Sequence, residues 1–264
     1  MTENLRSYLD FAVETAYLAG RLTLGYFQSG IRPDMKPNDT PVTIADKKSE
    51  ELIRKRIEEY YPTHAIIGEE YGKTNAENAS HRWYIDPIDG TKAFVRGIPT
   101  YSILIGLEIE GKMSTGVIYL PALDEMVDAA LGEGCWWNGR RAWVSNLTSL
   151  KQGLFVSSIS DLTPLRQDGV WNIIKERTYH QGGSWDAFGY ALVATGRAEL
   201  IMDTGMEDWD CAPYLPIFTE AGGYFGDWDG NPKGYGKNMM ATTQKLLPEA
   251  LELARAIQEI SPIP

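Results

Sequence analysis

The stretch from residue 83 to residue 91, Trp-Tyr-Ile-Asp-Pro-Ile-Asp-Gly-Thr, constrains the fold more than any other part of the sequence. Its aromatic and branched residues favour a β-strand, which delivers Asp86 and Asp89 into a turn. Pro87 lacks a backbone N–H, so the strand ladder is predicted to stop there, and Gly90 permits a conformation that other residues resist. Two close carboxylates repel each other unless a cation lies between them. The pattern predicts a divalent metal site, or a turn that uses aspartate only because aspartate favours turns.

Two further acidic points lie far from this stretch in the sequence. Residues 66–70, Ile-Ile-Gly-Glu-Glu, read as an apolar strand that ends in Glu69 and Glu70. Two strands that each end in acids would supply the oxygen ligands that a hard cation requires, which favours the metal site. Asp210 follows Trp209 at the start of a predicted helix, where an acid is also stabilised by the backbone donors alone. These acids could meet in a cleft between two halves of the chain, where ligand sites are common.

Composition excludes several classes of partner. The 264 residues suit one large domain or two smaller ones, and 43% hydrophobic with 23% charged residues is typical of a globular protein. The net charge is −11 and no basic patch stands out, so we expect neither nucleic acid nor a membrane surface as partner. Cys135 and Cys211 form no Cys-x-x-Cys motif and are predicted to be buried free thiols. Without a signal-peptide pattern at the start, the expected location is the cytoplasm.

Hydrophobic periodicity and turn residues predict a helix-and-sheet first half and an alternating second half. The predicted helices cover residues 3–28, a segment opening at residue 43, and residues 171–176, 185–195, 209–221 and 246–260. The predicted strands cover residues 65–67, 82–85, 100–108, 114–120, 125–131, 141–145, 154–158, 198–203, 224–227 and 239–241. Residues 30–41 are predicted as a polar loop, and residues 132–139 as a turn region with Asn138-Gly139 as a hairpin signal.

The first half thus predicts two helices against an antiparallel sheet, and the second half an α/β organisation. We place the boundary at residue 147, giving a unit of residues 1–147 with most of the acids and a unit of residues 148–264 with Asp210. Thr43 and Asp46 have the spacing of a helix N-cap, which on spacing alone is the favoured interpretation.

Taken together, these motifs resemble the magnesium-dependent inositol monophosphatase family of sugar- and polyol-phosphate phosphatases. Order and spacing agree with the family from about residue 5 to residue 260. The motifs that carry the resemblance are Thr43-x-x-Asp46, Gly68-Glu69-Glu70, Asp86-Pro87-Ile88-Asp89-Gly90-Thr91, Val193-Ala194-Thr195-Gly196, Trp209-Asp210 and Glu220-Ala221-Gly222-Gly223.

The resemblance implies an αβαβα layered sandwich (α+β or α/β), a homodimer, and two or three Mg²⁺ ions per subunit. Glu69, Asp86 and the Ile88 carbonyl would bind the first ion. Asp86, Asp89 and Asp210 would bind the second, and a third, weaker ion would also use Glu69. The family usually continues with Ala-Ala where this chain has Ala212-Pro213, and we expect an altered helix start with the metal ligand intact.

The resemblance also implies a phosphomonoesterase in which metal-activated water attacks phosphorus in line. The catalytic set would be Asp46, Glu69 and Thr91, in which Asp46 and Thr91 position and deprotonate the water. The backbone amides of Gly90 and Thr91 would hold phosphate oxygens. Glu70 and Thr43 would support the site. This assigns Asp46 a catalytic role in place of the cap. Histidines at 64, 81 and 180 share no ligand spacing and are expected to be surface or structural residues.

The substrate is predicted from Asp186. Counted back from Gly196, Asp186 stands where the histidinol-phosphate phosphatase branch of the family carries an aspartate, although that branch usually has Gly where this chain has Trp185. An acid suits a substrate with an ammonium group and an imidazole, since charge-assisted hydrogen bonds are strong. Asp203 would contact the amine or substrate hydroxyls. The alternative for Asp186 is a helix N-terminal acid.

The predicted function is therefore a Mg²⁺-dependent histidinol-phosphate phosphatase of histidine biosynthesis, acting on a small phosphate monoester. The alternatives are an inositol-1-monophosphatase or a broad-specificity sugar or nucleotide phosphatase of the same family. An alternative of another class is an inactive metal- or ligand-binding module on the same fold.

Overall fold

The computed structural model describes residues 4–37, 40–74, 79–158, 168–183 and 186–261. The predicted start of a helix at Trp185 lies outside these residues. The helices are α1 Leu5–Leu24, α2 Ile44–Tyr60, α3 Thr91–Val95, α4 Asp168–Arg177, α5 Asp186–Ala194, α6 Asp208–Cys211, α7 Tyr214–Glu220 and α8 Leu247–Ile260. The strands are β1 Asp34–Met35, β2 Pro41–Val42, β3 Ala65–Gly68, β4 Gly72–Thr74, β5 His81–Asp89, β6 Ser102–Ile109, β7 Lys112–Leu120, β8 Glu125–Ala130, β9 Gly134–Trp137, β10 Arg140–Arg141, β11 Leu154–Ser157, β12 His180–Gly183, β13 Leu200–Thr204, β14 Gly223–Asp227 and β15 Asn238–Thr243.

Two sheets alternate with three helical layers, which confirms the αβαβα sandwich. The first sheet has eight strands in the order β10-β9-β8-β7-β6-β5-β3-β4, and the second has five in the order β12-β11-β13-β15-β14. One face of the first sheet packs on α1 and α2 through residues such as Leu9, Ile53 and Trp83. Its other face packs on α5 and α7, which also cover the second sheet. The outer face of the second sheet packs on α4 and α8.

The first sheet is mixed, so the prediction of an antiparallel sheet is wrong at one pairing. Strand β3 runs parallel to β5, with Gly68 opposite Ile85, while β4 folds back along the outer edge of β3. Strand β4 reverses the chain after β3, and β5 then runs in the same direction as β3. The carboxyl ends of β3 and β5 therefore lie side by side.

Strand β5 does not stop at Pro87, which corrects the expectation from sequence. Asp86 pairs with Leu104 and Asp89 with Ser102, so three steps on β5 face two on β6. One extra residue in one strand is a β-bulge, which accommodates the missing N–H of Pro87 and lets pairing resume. The bulge turns the two aspartates to positions that a regular strand would not give them.

Other boundaries also differ from those predicted. The helix expected over residues 209–221 is split into α6 and α7, because Pro213 cannot donate to the carbonyl four residues earlier and its ring would clash there. The predicted turn region 132–139 contains β9, and the strand expected over 141–145 is reduced to β10. Asn138 and Gly139, both with positive φ, join β9 to β10 as predicted. The two-stranded β1–β2 ladder and β12 were not predicted.

Three remaining expectations concern the whole chain. Cys135 and Cys211 are buried free thiols, as predicted. Among the described helices, none has the length and apolar character needed to cross a membrane. In chain order, β10 is the last strand of the first sheet and β11 is the first strand of the second sheet. A division into units at residue 147 stays a prediction.

Candidate active site

The parallel pairing of β3 and β5 brings Glu69 beside the Asp86 turn. The N–H of Glu69, the residue after β3, donates to the carbonyl of Ile85 at 3.2 Å. Glu69 is thereby held beside the residue that precedes Asp86 on β5. Within the bulge, the N–H of Ile88 donates to Asp86 Oδ1 at 3.0 Å. This bond orients the Asp86 carboxylate over its own turn, as aspartates do in Asx turns.

Asp89 links the bulge to the second half of the chain. Its Oδ2 accepts from Ala187 N at 2.8 Å, at the start of α5, and from Ser102 Oγ at 3.2 Å. Asp210 lies on α6, where its Oδ2 accepts from the N–H of Glu207 at 2.8 Å. Asp89 and Asp210 line one cavity of about 190 Å³. The fold therefore brings together acids that the sequence places more than a hundred residues apart.

Asp46 forms the helix cap that its spacing indicates and also contacts Thr91, while its catalytic role stays a prediction. Thr43 and Asp46 form a capping box, in which Asp46 Oδ2 accepts from Thr43 N at 2.8 Å and from Thr43 Oγ1 at 2.6 Å. The other oxygen, Oδ1, accepts from Thr91 Oγ1 at 3.2 Å. The Thr91 hydroxyl also lies 3.1 Å from the carbonyl of Ile88. Asp46 thus caps α2 and reaches Thr91 at the same time.

Negative charge accumulates at this site without enough protein cations to balance it. Burial, followed by the charges of Glu69, Asp89 and Asp210, raises the pKa of Asp86 well above its usual range. Burial, then Asp186 and Asp210, likewise raises the pKa of Asp89. Burial, together with neighbouring acids, raises the pKa of Asp210 to about 7. Clustered carboxylates with raised pKa values are typical of sites that bind a cation or share protons.

Lys36 is a residue of the site that sequence reasoning missed. Its Nζ donates to Glu69 Oε1 at 2.7 Å and to Glu70 Oε1 at 2.6 Å. Burial opposes the charge on Lys36, but the hydrogen bonds to Glu69 and Glu70 outweigh it and raise its pKa. Burial raises the pKa of Glu70 to about 6. Lys36 belongs to the predicted polar loop, and no sequence signal distinguishes it from a solvated lysine.

Asp186 and Asp203 line the same cavity as Asp89 and Asp210. Asp186 opens α5 with a φ of +36°, and its Oδ2 would lie 2.9 Å from a Cβ placed on Gly90. Burial raises the pKa of Asp186, while Lys92 and Ser158 oppose that rise. Asp203 Oδ1 accepts from Ser158 N at 2.6 Å and its Oδ2 from Ser158 Oγ at 3.0 Å.

The predicted oxygen ligands are neighbours, but they are not arranged as a finished coordination sphere. Among the described residues, no three Asp, Glu, His or Cys side chains converge as they would around a metal ion. The reason is local, since Glu69 is turned to Lys36, Asp89 to Ser102 and Ala187, and Asp210 to the N–H of Glu207. Their chemistry still fits magnesium, because every donor in the set is an oxygen and Asp86, Asp89 and Asp210 are buried close to one another.

The profile of the inositol monophosphatase family matches residues 4–261. This chain belongs to the inositol monophosphatase family.

Members of the inositol monophosphatase family that are named for different activities resemble this chain. A histidinol-phosphatase of Chlorobaculum parvum is 41% identical over 225 residues, covering 84% of this chain and 86% of the relative. An inositol-1-monophosphatase of Mesorhizobium japonicum is 32% identical over 228 residues, covering 84% of this chain and 86% of the relative. The solved structure of an inositol monophosphatase from Anabaena (Nostoc) superposes with a TM-score of 0.84 at 30% identity, covering 99% of this chain and 98% of that chain.

Membership of the inositol monophosphatase family gives the coarse chemistry. The family consists of metal-dependent phosphomonoesterases, typically Mg²⁺-dependent, so a phosphate ester is the class of substrate. Its members act on different esters, and the roles of individual residues in this chain remain predictions.

Proposed function

We propose that this chain is a Mg²⁺-dependent phosphomonoesterase with histidinol phosphate as its preferred substrate. The observation that carries the proposal is the Asp186 carboxylate in the cavity beside Asp89, Asp203 and Asp210. A cavity lined by acids favours a ligand that combines an anionic phosphate, held by metal, with an ammonium group. A polyol phosphate, whose polyol part is neutral, would bring no positive group to the Asp186 carboxylate.

Glu69, Asp86 and the Ile88 carbonyl would hold one magnesium, and Asp86, Asp89 and Asp210 a second. Bound magnesium lowers the pKa of water and neutralises charge on the phosphate oxygens. Glu69 accepts a hydrogen bond from the Lys36 ammonium, and Asp210 accepts one from the backbone N–H of Glu207. Both ligands would therefore exchange protein partners for metal, since a divalent ion is the stronger competitor for a carboxylate.

The chain's own groups would orient the water and the phosphate. Thr91 Oγ1 donates to Asp46, which leaves its lone pairs to accept a hydrogen bond from water. Burial raises the pKa of Asp46, which makes it a better proton acceptor than an exposed aspartate. The backbone amides of Gly90 and Thr91 open α3, where the first N–H groups lack partners within the helix and can hold phosphate oxygens.

Asp186 and Asp203 would select the leaving group of the ester. An ammonium group beside Asp186 would form a charge-assisted hydrogen bond, and Asp203 is held in place by Ser158. Greater similarity to a histidinol-phosphatase than to an inositol-1-monophosphatase supports the same preference. The second candidate, inositol-1-phosphate, is favoured by Asp203, whose oxygens retain lone pairs that polyol hydroxyls could reach.

Phosphate release from both esters, with Mg²⁺ and with EDTA, tests the proposal. We expect Mg²⁺-dependent turnover with a higher kcat/KM for histidinol phosphate. Asp186→Asn should lower that kcat/KM about 10–100-fold, the loss of one charged hydrogen bond, and change kcat/KM for inositol-1-phosphate less than threefold. The matched control is Asp229→Asn, at an exposed aspartate outside the cavity.

Three results would count against the proposal. Preference of the unmodified protein for inositol-1-phosphate would support the second candidate. Similar turnover of many esters would support a broad-specificity phosphatase. No hydrolysis of any phosphomonoester would support an inactive binding module.

The proposal includes a homodimer, which is the assembly that the family resemblance implies. Analytical ultracentrifugation should then give twice the 29.5 kDa mass of one chain. A species with the mass of a single chain at micromolar concentration would contradict it.

A further inference from the structure

Helix α2 carries polar side chains on its buried face. Asp46, Ser49 and Glu50 are three and four residues apart, so they lie on one side of the helix, and all three are 0% exposed. The apolar residues Ile53 and Ile57 continue the same face. A buried polar face is costly unless each group has a partner, so the partners of Ser49 and Glu50 explain why they are there.

Ser49 contacts the turn that carries Asp86 and Asp89. Its Oγ donates to the carbonyl of Pro87 at 3.1 Å. Pro87 lies inside the bulge, where regular pairing with β6 is interrupted. The Ser49 hydroxyl therefore donates a hydrogen bond to the Pro87 carbonyl, at a point of the bulge where β5 and β6 are not regularly paired.

Glu50 contacts the turn that carries Glu69. Its Oε2 accepts from the N–H of Glu70 at 2.7 Å, and its Oε1 accepts from the N–H of Tyr71 at 3.1 Å. A Cβ on Gly68 would lie only 2.1 Å from Glu50 Oε1, so the carboxylate approaches the strand closely enough that only glycine fits. The backbone on both sides of Glu69 is thereby fixed.

Arg54 completes this arrangement. Its Nε donates to Glu50 Oε1 at 2.7 Å, and its Nη1 donates to Thr74 Oγ1 at 2.6 Å. Its Nη2 donates to the carbonyl of Gly72. The buried Glu50 charge is thus neutralised by a residue that also binds the far side of the β3–β4 turn.

We infer that Ser49 and Glu50 are positioning residues that set the distance between the two acid-bearing turns. One helical turn of α2 binds the bulge through Ser49 and the β3–β4 turn through Glu50. The spacing of the groups that would hold the first magnesium then depends on a rigid helix and not on two flexible turns. The inference rests on the proposed magnesium-dependent function and assigns no contact with substrate to either residue.

The test is magnesium binding measured by calorimetry on the whole protein without substrate. Ser49→Ala removes the hydroxyl that donates to the Pro87 carbonyl. Both Glu50 carboxylate oxygens accept from backbone N–H groups, so Glu50→Gln places an amide NH₂ against the N–H of Glu70 or of Tyr71. Each variant should weaken Mg²⁺ binding about tenfold, the low end of the effect of losing a direct partner of a metal ligand, because both residues bond the backbone next to the ligands. Saturating Mg²⁺ should restore kcat to within about threefold, which a general loss of structure would not allow.

Ser114→Ala is the matched control, because Ser114 is also buried and its Oγ donates to the carbonyl of Lys112 at 2.9 Å, away from both turns. It should bind Mg²⁺ as the unmodified protein does. If Glu50→Gln does not fold, Ser49→Ala decides alone.

Two outcomes would overturn the inference, and they are distinguishable. If the unmodified protein binds Mg²⁺ and folded Ser49→Ala binds it within twofold as tightly, only the positioning role fails. If the unmodified protein neither binds Mg²⁺ nor needs it for hydrolysis, the proposed function fails and the inference fails with it.

Discussion

Gly90 lies close to Asp186 in the candidate site. Its φ is +78°, a conformation that residues with a Cβ resist, and a Cβ there would lie 2.9 Å from Asp186 Oδ2. Asp186 itself has a φ of +36°, uncommon for a residue other than glycine. Backbone strain of this kind persists only where surrounding structure imposes it, and it is concentrated at functional sites.

Gly90→Ala should therefore lower kcat/KM more than a control variant that introduces the same backbone strain away from Asp186. The matched control is Gly111→Ala, since Gly111 has a φ of +81° and open space around the added Cβ. Both variants should lose about 1–2 kcal/mol of unfolding free energy through the left-handed conformation. Only Gly90→Ala should also lower kcat/KM, by about tenfold or more, because it displaces Asp186. Equal kcat/KM values in the two variants would contradict the contact.

At the residue scale, sequence reasoning finds side chains whose chemistry is visible in a local pattern. Asp86 and Asp89 stand out because they share a turn, and Asp46 because it has cap spacing. Glu50 was missed because Glu50 and Arg54 have the spacing of an ordinary surface ion pair. The signal that could have found it is its position on the Ile53 and Ile57 face of α2.

The junction of α6 and α7 rests on a pair of glycines in the first sheet. Gly106 of β6 pairs with Gly116 of β7. A Cβ on Gly106 would lie 2.7 Å from Ala212 Cβ, and a Cβ on Gly116 would lie 2.0 Å from the carbonyl oxygen of Pro213. The two glycines thus allow the broken helix to approach the sheet closely, two residues after Asp210.

Gly116→Ala should push this junction away from the sheet. We expect a loss of about 1–3 kcal/mol in unfolding free energy, typical of overpacking, with weaker Mg²⁺ binding because Asp210 moves with the junction. Urea denaturation and calorimetry measure the two effects. Gly25→Ala is the control, since Gly25 has a φ of −65° and its Cβ would meet only Leu22 O, at 3.2 Å. Unchanged stability of Gly116→Ala would refute the close approach.

At the element scale, periodicity predicts α1, α2 and α8 well because each buries one face against a sheet. It does not predict the bulge after Asp86 or the parallel pairing of β3 with β5. Both depend on which strand lies alongside, and that is decided by contacts distant in sequence. The split at Pro213 was only partly anticipated, as an altered helix start.

The whole molecule carries a net charge of −11, and part of that charge is buried in one place. The pKa of Asp210 is raised to about 7 and those of Asp203 and Glu70 to about 6, with burial as the largest cause in each. A carboxyl whose pKa is higher in the folded than in the unfolded protein favours folding at low pH. That stability is lost as pH rises through the folded pKa.

The metal-free protein should therefore become less stable between about pH 4 and pH 7. In EDTA, the Tm should fall over this window as the unfolded chain ionises before the folded one. Mg²⁺ should raise the Tm more at pH 7.5 than at pH 5, because it binds the ionised acids of the folded protein.

Asp128, whose pKa burial raises to about 6, lies on β8 outside the acid cavity and provides an internal control. Asp128→Asn should reduce the pH dependence in EDTA and leave the Mg²⁺ effect unchanged. An equal Tm gain from Mg²⁺ at both pH values would contradict this account.

The order of the sheets has a consequence for how such proteins can diversify. Glu69, Asp86 and Asp89 lie at strand ends of the first sheet, whereas Asp186 and Asp203 lie on α5 and β13 of the second half. Apart from Asp210 on α6, the proposed metal ligands and the residues proposed to choose the leaving group would then be encoded in separate stretches of the gene. Drift around Asp186 and Asp203 could redirect the protein to a new metabolite while the metal ligands, Asp210 included, stay under unchanged constraint.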